Sequence, residues 1–354
     1  MAARAMADPK KLTESAFGRA LVLAGPAERY VINDNGGHLF AFRQAAAGVG
    51  NWGGYVSVQA IEQDLIPASS ASGDVQHVAL GAVQHTDFLF IGSVAPTDRR
   101  RGVRLNLVSG IRQPNSAPDV TEGRRAGWYS LAFLLRTVAA TTLDIQPLEL
   151  NAGIYSGVTA TGEPTVQAFL ADTLENGAGF STHLGSEQFL PEFLEAIERY
   201  LGELESDDHP QTCNSSCYRC LRDYGNMAYH ALLDWRLARD LFGLLRDGEL
   251  RFDRADEAKA LSRWAESFGA TVLNFLGASA AVIDTPQYGK FGVVLRHPFE
   301  GSDADVMSER LADVAADIEV TQNCDGVVFV DSFTLDRDPR RVLQLIAAAA
   351  QALQ

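Results

Sequence analysis

Three of the four cysteines in this chain fall within eight residues, in the string CNSSCYRC that runs from Cys213 to Cys220. Apolar packing gives cysteines no reason to crowd into a polar connection. In a chain of cytosolic character such crowding points to metal ligation or redox chemistry rather than to a disulfide framework. The spacing Cys-x3-Cys-x2-Cys suits zinc. Thiolates are soft ligands, and a short turn can aim Cys213, Cys217 and Cys220 at one Zn2+ at about 2.3 Å. A structural site normally has four protein ligands, so one must come from elsewhere. His230 is the first choice, because it opens the helix expected after the cysteines. His209 lies in the acidic, proline-containing loop before Cys213, and Cys324 is remote but chemically suitable; these are the second and third choices.

The remaining composition is ordinary. At 354 residues, 46% apolar and 21% charged, the chain can bury a real core and has room for two or three domains. Its net charge of −15 argues against a free-standing, non-specific DNA coat, but leaves room for a local nucleic-acid patch. The basic charge is nearly all arginine. No charge-free apolar run is long enough to span a bilayer, and the N-terminus lacks a basic-then-apolar leader. The expectation is a cytoplasmic protein with no membrane partner.

Hydrophobic periodicity predicts an α/β fold of the mixed α+β kind, in three parts. Residues 1–75 read as β-rich: Asn33 to Gly37 supply a hairpin turn, and Tyr55 to Val58 alternate like a half-buried strand. Residues 67–76 read as a polar loop. Residues 76–248 form a core of sheet and helix. There Trp128, Leu131, Leu135 and Val138 make a helical stripe after Thr121, and two strands flank the turn from Gly157 to Gly162. A second helix, over about 191–205, carries Phe193, Ile197 and Leu201. A third, over about 229–247, carries Leu233, Leu237, Leu241 and Leu244 and ends at Gly248. Residues 256–354 read as a small α/β unit of unassigned role.

Several catalytic motifs fail. The chain has no His-x-Glu to complete a zinc-deaminase signature and no His-Glu-x-x-His. Three thiolates also leave zinc a weak Lewis acid, so a structural role is favoured. No Walker A sequence occurs. The string from Gly48 to Gly53 matches a dinucleotide fingerprint, but it precedes a strand where the fingerprint must open a helix. Asp284, Asp331 and Asp336 lie near predicted strand ends, where they could hold magnesium for a hydrolase or nuclease. No Glu-x-Lys spacing accompanies them. Two further strings, from His85 to Asp87 and from Asp172 to Phe180, combine polar and small residues after or before strands. They suit either a tight turn or a contact site.

Taken together, HTDFLFI, WYSLAFLLR, LADTLENGAGF, CYRCLRDYGN and HALLDWRLA resemble the MrfA-like zinc-binding domain. That domain sits at the C-terminus of large superfamily-two DEAD/DEAH-type helicases and in helicase-associated proteins such as DrmB of the DISARM antiphage system. The resemblance covers about residues 76–248 and leaves the last hundred uncovered. It implies a four-ligand zinc site that supports DNA processing by a helicase, with Cys213, Cys217 and Cys220 matching three family cysteines. Where MrfA-type helicases have a further cysteine, this chain has Gln211. It also lacks both RecA-like motor domains. The resemblance therefore implies a non-catalytic accessory module for a separately encoded helicase, in DNA repair or phage defence. Arg99, Arg100, Arg101, Arg219 and Arg222 are candidate phosphate contacts. The alternatives are a stand-alone zinc-stabilised DNA-binding protein and, less favoured, the metal-dependent hydrolase or nuclease.

Overall fold

A computed structural model of the chain describes residues 2–6, 12–33, 38–46, 54–107, 121–159, 161–206, 208–252, 254–275, 278–303 and 305–353. The fold is mixed α/β, as expected. Most of the hairpin turn from Asn33 to Gly37 and the string from Gly48 to Gly53 lie outside the described residues.

The first part is built on a six-stranded antiparallel sheet. Strands β1 (Ala2–Met6) and β2 (Thr13–Phe17) pair with different halves of β3 (Ala20–Asn33). A side sheet holds β4 (Phe40–Ala45), β5 (Tyr55–Ser57) and β6 (Ala71–Val78), with helix α1 (Val58–Glu62) following β5 directly. The main sheet continues from β3 through β7 (Leu80–Ser93). A two-residue ladder, β8 (Thr97–Asp98) with β9 (Val103–Arg104), leads to the long helix α2 (Glu122–Leu143). Strands β10 (Leu150–Val158) and β11 (Pro164–Asp172) form a hairpin that completes the order β1-β3-β7-β11-β10.

Side chains alternate across these strands, so each face carries its own apolar set. Leu89, Ile91, Val166, Ala168 and Leu170 face a core filled by Trp128, Leu131, Leu135 and Val138 of α2. Phe88, Phe90, Phe169 and Ala171 pack on the opposite face. Helices α3 (Phe180–Leu184), α4 (Leu190–Ser206), α5 (His209–Thr212) and α6 (Trp235–Arg246) follow. From α4, Phe193, Ile197 and Leu201 join the α2 core, as do Leu233 and, from α6, Leu241 and Leu244. Each such side chain contributes about 1.5–3 kcal/mol when fully buried.

The second part is a three-layer unit. Helix α7 (Arg254–Phe268) precedes an antiparallel meander of β12 (Thr271–Phe275), β13 (Ala278–Thr285) and β14 (Gly289–Arg296). Helix α8 (Glu309–Gln322) then crosses over to β15 (Gly326–Asp331), which runs parallel to β14. Helices α9 (Ser332–Arg337) and α10 (Arg341–Leu353) end the chain. Helices cover both faces of this sheet, and β14 is accordingly apolar along its middle: Phe291, Val293 and Leu295 face one core, Val294 the other.

The two parts meet at residues 297–300. Phe299 is fully buried in the α2 core, against Gly127; a Cβ on Gly127 would lie 2.4 Å from the ring tip. Gly123, one turn earlier, leaves room for Pro298 and Asp331. The Arg296 guanidinium donates to the carbonyls of His297, Pro298 and Glu300, the last at 2.8 Å. His297 Nδ1 accepts the Phe299 N–H, so its Nε2–H points to Asp240 of α6, 3.1 Å away. Arg104 closes the seam on Asp303 at 2.8 Å.

The structure departs from expectation at several elements. Residues expected as a polar loop include most of β6, which is exposed nearly throughout and so carries no apolar signal. The third helix starts at Trp235, not near Tyr229, because Asp234 caps it by accepting the Arg236 N–H at 3.0 Å. The residues before it form a 3-10 turn, Tyr224–Tyr229.

Candidate metal centre

The cysteine turn is held from both sides by the helices it connects. From α4, the Tyr200 hydroxyl donates to the Cys220 carbonyl at 2.8 Å. From α6, the Trp235 indole N–H and the Arg236 guanidinium both donate to the Cys213 carbonyl at 3.3 Å, and Arg236 also reaches the carbonyls of Asn214 and Pro210. Within the turn, the N–H groups of Cys220, Leu221 and Arg222 all point at the Cys217 carbonyl. This curls residues 217–222 so that the Cys217 N–H donates to the Cys220 sulfur at 3.1 Å.

His209, Cys213, Cys217 and Cys220 each bring one ligand atom into a group whose members all lie within 4.8 Å of one another. Cys217 Sγ is 3.8 Å from Cys220 Sγ and 3.5 Å from His209 Nε2. With zinc–sulfur and zinc–nitrogen bonds of about 2.3 and 2.0–2.1 Å, a tetrahedron has edges of about 3.8 Å between sulfurs and about 3.6 Å between sulfur and nitrogen. The two measured edges fit. His209, Cys213 and Cys220 are at most 4% exposed, while Cys217 is half-buried. Burial raises the thiol pKa of Cys213 and Cys220; the charge of the neighbouring cysteines adds to the rise, and hydrogen bonds within the turn oppose it. A bound cation reverses that preference by stabilising the thiolates. These four side chains can hold a metal ion.

The histidine in this group is His209 and not His230. His230 lies at the end of the 3-10 turn, where its Nε2 is 2.8 Å from Asn226 Oδ1 and 3.1 Å from the Asp223 carbonyl. It was expected on a rigid helix, but that helix begins five residues later. His209 was expected in a loop with nothing to fix its direction. Instead His209 opens the short helix α5, with Pro210 in its first turn, and the His209 ring packs edge-on against Trp235, with centroids 5.2 Å apart. The regular spacing His-x3-Cys-x3-Cys-x2-Cys was the available sequence signal. Cys324 packs in the distant core under α8. We expect His209→Ala to lower metal affinity at least tenfold in chelator competition, with His230→Ala and Cys324→Ala near the unsubstituted protein. Loss in His230→Ala alone would reverse the assignment.

The other candidate residues are dispersed. Arg219 pairs with Asp208 at 3.1 Å, and Arg222 Nε donates to Ser216 at 2.9 Å, both beside the metal turn at the start of α6. Arg101 donates to the Gly248 carbonyl past the other end of α6, roughly 18 Å away by helix rise. Arg99 faces Asp305 at 3.7 Å, and the Arg100 N–H is held by Asp98. Asp284 sits opposite Lys290, and Asp331 opposite Arg296, at the two ends of β14 and roughly 20 Å apart. They cannot share one ion. Asp331 is buried and caps α9. Among the described residues, the His209 group alone has metal-ligand geometry.

The two polar strings turn out to hold the fold. Asp172 accepts the N–H groups of Ala178, Phe180 and Ser181, and Asp87 accepts from Gly179 N–H and the Thr182 hydroxyl. Gly177 and Gly179 take positive φ between these carboxylates.

Asp234 gives the centre a pH-dependent neighbour. Burial pushes its carboxyl up to about 7, against opposing hydrogen bonds and charge from Arg236. The folded state then binds a proton that the unfolded state releases between about pH 4 and 7. This contribution to stability is complete below about pH 4 and is lost as pH rises through about 7. Asp234→Asn, which keeps a capping side chain, should therefore flatten the fall in Tm between about pH 5 and 8. Parallel Tm-versus-pH curves for the two proteins would show that Asp234 has no such role.

No helix among the described residues is long and apolar enough to cross a membrane. No family profile and no curated protein matches the chain. Among solved structures, the crystal structure of the DUF1998 helicase MrfA bound to DNA aligns with a TM-score of 0.37 and 10% sequence identity, over 70% of this chain and 24% of that one. The chain thus spans about a quarter of the length of that helicase.

Proposed function

We propose that this protein is a non-catalytic zinc-binding module that works with a separately encoded DEAD/DEAH-type helicase on DNA, in cytoplasmic repair or phage defence. The observation that carries the reading is the group of His209, Cys213, Cys217 and Cys220, with edge lengths suited to tetrahedral zinc. It lies inside the stretch whose strings resemble the MrfA-like zinc-binding domain. The role of zinc here is structural: four protein ligands leave no open position for substrate.

On this reading the β-rich region 1–75 and the zinc-binding domain 76–248 share the larger core, and 256–354 form a separate unit docked on it. The two separate apolar cores of the C-terminal sheet support that division. Arg219 and Arg222 beside the metal, and Arg99, Arg100 and Arg101 at the far end of α6, are the proposed phosphate contacts. Most of these arginines are already engaged within the fold, and the chain is strongly acidic, so docking to a partner dominates over coating DNA.

Reconstitution tests the proposal. The purified chain should hold about one zinc and hydrolyse no ATP, with or without DNA, since no Walker A sequence occurs in its 354 residues. It should co-purify with a helicase encoded beside it and raise that helicase's DNA-dependent activity. A zinc-free but well-folded protein, or DNA-stimulated ATP hydrolysis abolished by substituting one of its own residues, would overturn the proposal.

A further inference from the structure

We propose that the exposed rings of Tyr218 and Tyr224, with His230, form a platform on which unpaired bases of single-stranded DNA stack. The inference rests on the reading of the chain as a DNA-processing module and adds the form of DNA that it touches.

Tyr218 and Tyr224 are 61% and 84% exposed, although each rests against another ring. The Tyr218 and Tyr224 centroids are 5.8 Å apart with planes tilted by 45°, and Tyr218 meets His230 at 5.8 Å nearly at right angles. Rings set edge-on or tilted cover only part of one another's faces. Much π-surface therefore stays open to solvent, and Met227, three residues after Tyr224, is 60% exposed. Isolated exposed aromatics are ordinary, but a contiguous group marks an interaction surface.

The platform is rigid. Asp223 accepts the N–H groups of Gly225 and Asn226, Asn226 donates to the Leu221 carbonyl, and Asn226 Oδ1 meets His230 Nε2. Arg136 neutralises Asp223 from the buried side. Arg219 and Arg222 lie within two residues of Tyr218 and Tyr224, respectively, along the chain. Arg222 makes no ion pair among the described residues; its Nε donates to a serine hydroxyl. Arg219 is joined to Asp208 in an exposed pair at 3.1 Å, and exposed pairs of this kind are weak. Exposed rings interleaved with arginines along the chain are suited to successive bases and phosphates.

The test is fluorescence anisotropy of the full chain with a labelled oligothymidylate of about 12 nucleotides, with zinc measured in every variant. Tyr218→Ala and Tyr224→Ala should each weaken binding roughly tenfold, with zinc unchanged. Tyr218→Phe and Tyr224→Phe should bind like the unsubstituted protein, because stacking needs the ring and not the hydroxyl. One or two phosphate contacts predict a slope of log K against log salt of about −0.7 to −1.4. The inference is overturned if the double alanine variant binds as tightly as the unsubstituted protein. It is equally overturned if duplex DNA or oligouridylate binds more tightly than oligothymidylate, or if the substitutions abolish helicase association and leave oligonucleotide binding intact. Tyrosine-dependent oligonucleotide binding by a chain that associates with no helicase would overturn the accessory role and leave this inference standing.

Discussion

Cys217→Ser is expected to abolish stoichiometric metal binding and to lower Tm by roughly 6–12 °C. Cys217 is the best of the three cysteines for this test, because it is half-buried and serine is nearly its size. The loss then reports the metal and not a cavity. Structural zinc contributes of the order of 10 kcal/mol to small domains that fold around it. Here a large core is built away from the turn, and the turn with its hold on α4 and α6 depends most on the ion, so roughly 3 kcal/mol is expected. At 2–4 °C per kcal/mol for a body of this size, that gives the stated shift. A strong chelator should bring the unsubstituted protein down to the Tm of the variant and leave the variant unmoved. A variant that keeps its zinc and its Tm would remove Cys217 from the site.

The second large effect is expected at the seam between the two parts. Phe299→Ala deletes a fully buried ring from the α2 core and should lower stability by about 3–5 kcal/mol. Gly127→Ala, which brings a methyl group to 2.4 Å from the same ring, should lower it by about 1–3 kcal/mol through overpacking. The two are coupled: once Phe299 is alanine, the added methyl fills part of the cavity. The double variant should therefore be more stable than the sum of the single changes predicts, by about 1 kcal/mol or more in denaturant unfolding. Additive losses would mean that Gly127 does not seat Phe299.

Burial was the readable part of this fold. The stripes of α2 and α4 and the apolar β10–β11 hairpin announced themselves, because a buried face repeats at the period of its element. The solvent-facing strand β6 did not, since Ser72, Asp74 and Gln76 on a strand look like Ser, Asp and Gln in a loop. The start of α6 was misplaced for a related reason. Leu233 is fully buried and in register with Leu237 and Leu241, yet it lies ahead of the Asp234 cap; apolar periodicity records which side chains reach the core, not where backbone hydrogen bonds begin. That error carried directly to the metal centre. Placing His230 on a helix made it look rigid, while the fixity of His209 comes from Trp235, across 26 residues of chain. Gly123 and Gly127 gave no warning at all, because only the docked Phe299 and Asp331 show why α2 tolerates two glycines.

The four residues that can hold a metal ion occupy only eleven consecutive steps of the chain, from His209 to Cys220. The sheet, in contrast, joins Ala20 to Ser93, and the seam brings Phe299 back to Gly127. Closing a short loop sacrifices little chain entropy, whereas the long-range pairings must wait for distant residues to meet. Chelation can therefore precede the rest of the architecture. A nascent chain that has exposed Cys220 already holds a complete ligand set, before β12 to β15 have been synthesised. An ion bound there would act during translation as a fastener that draws the end of α4 toward the start of α6, ahead of the C-terminal unit that later closes over α2.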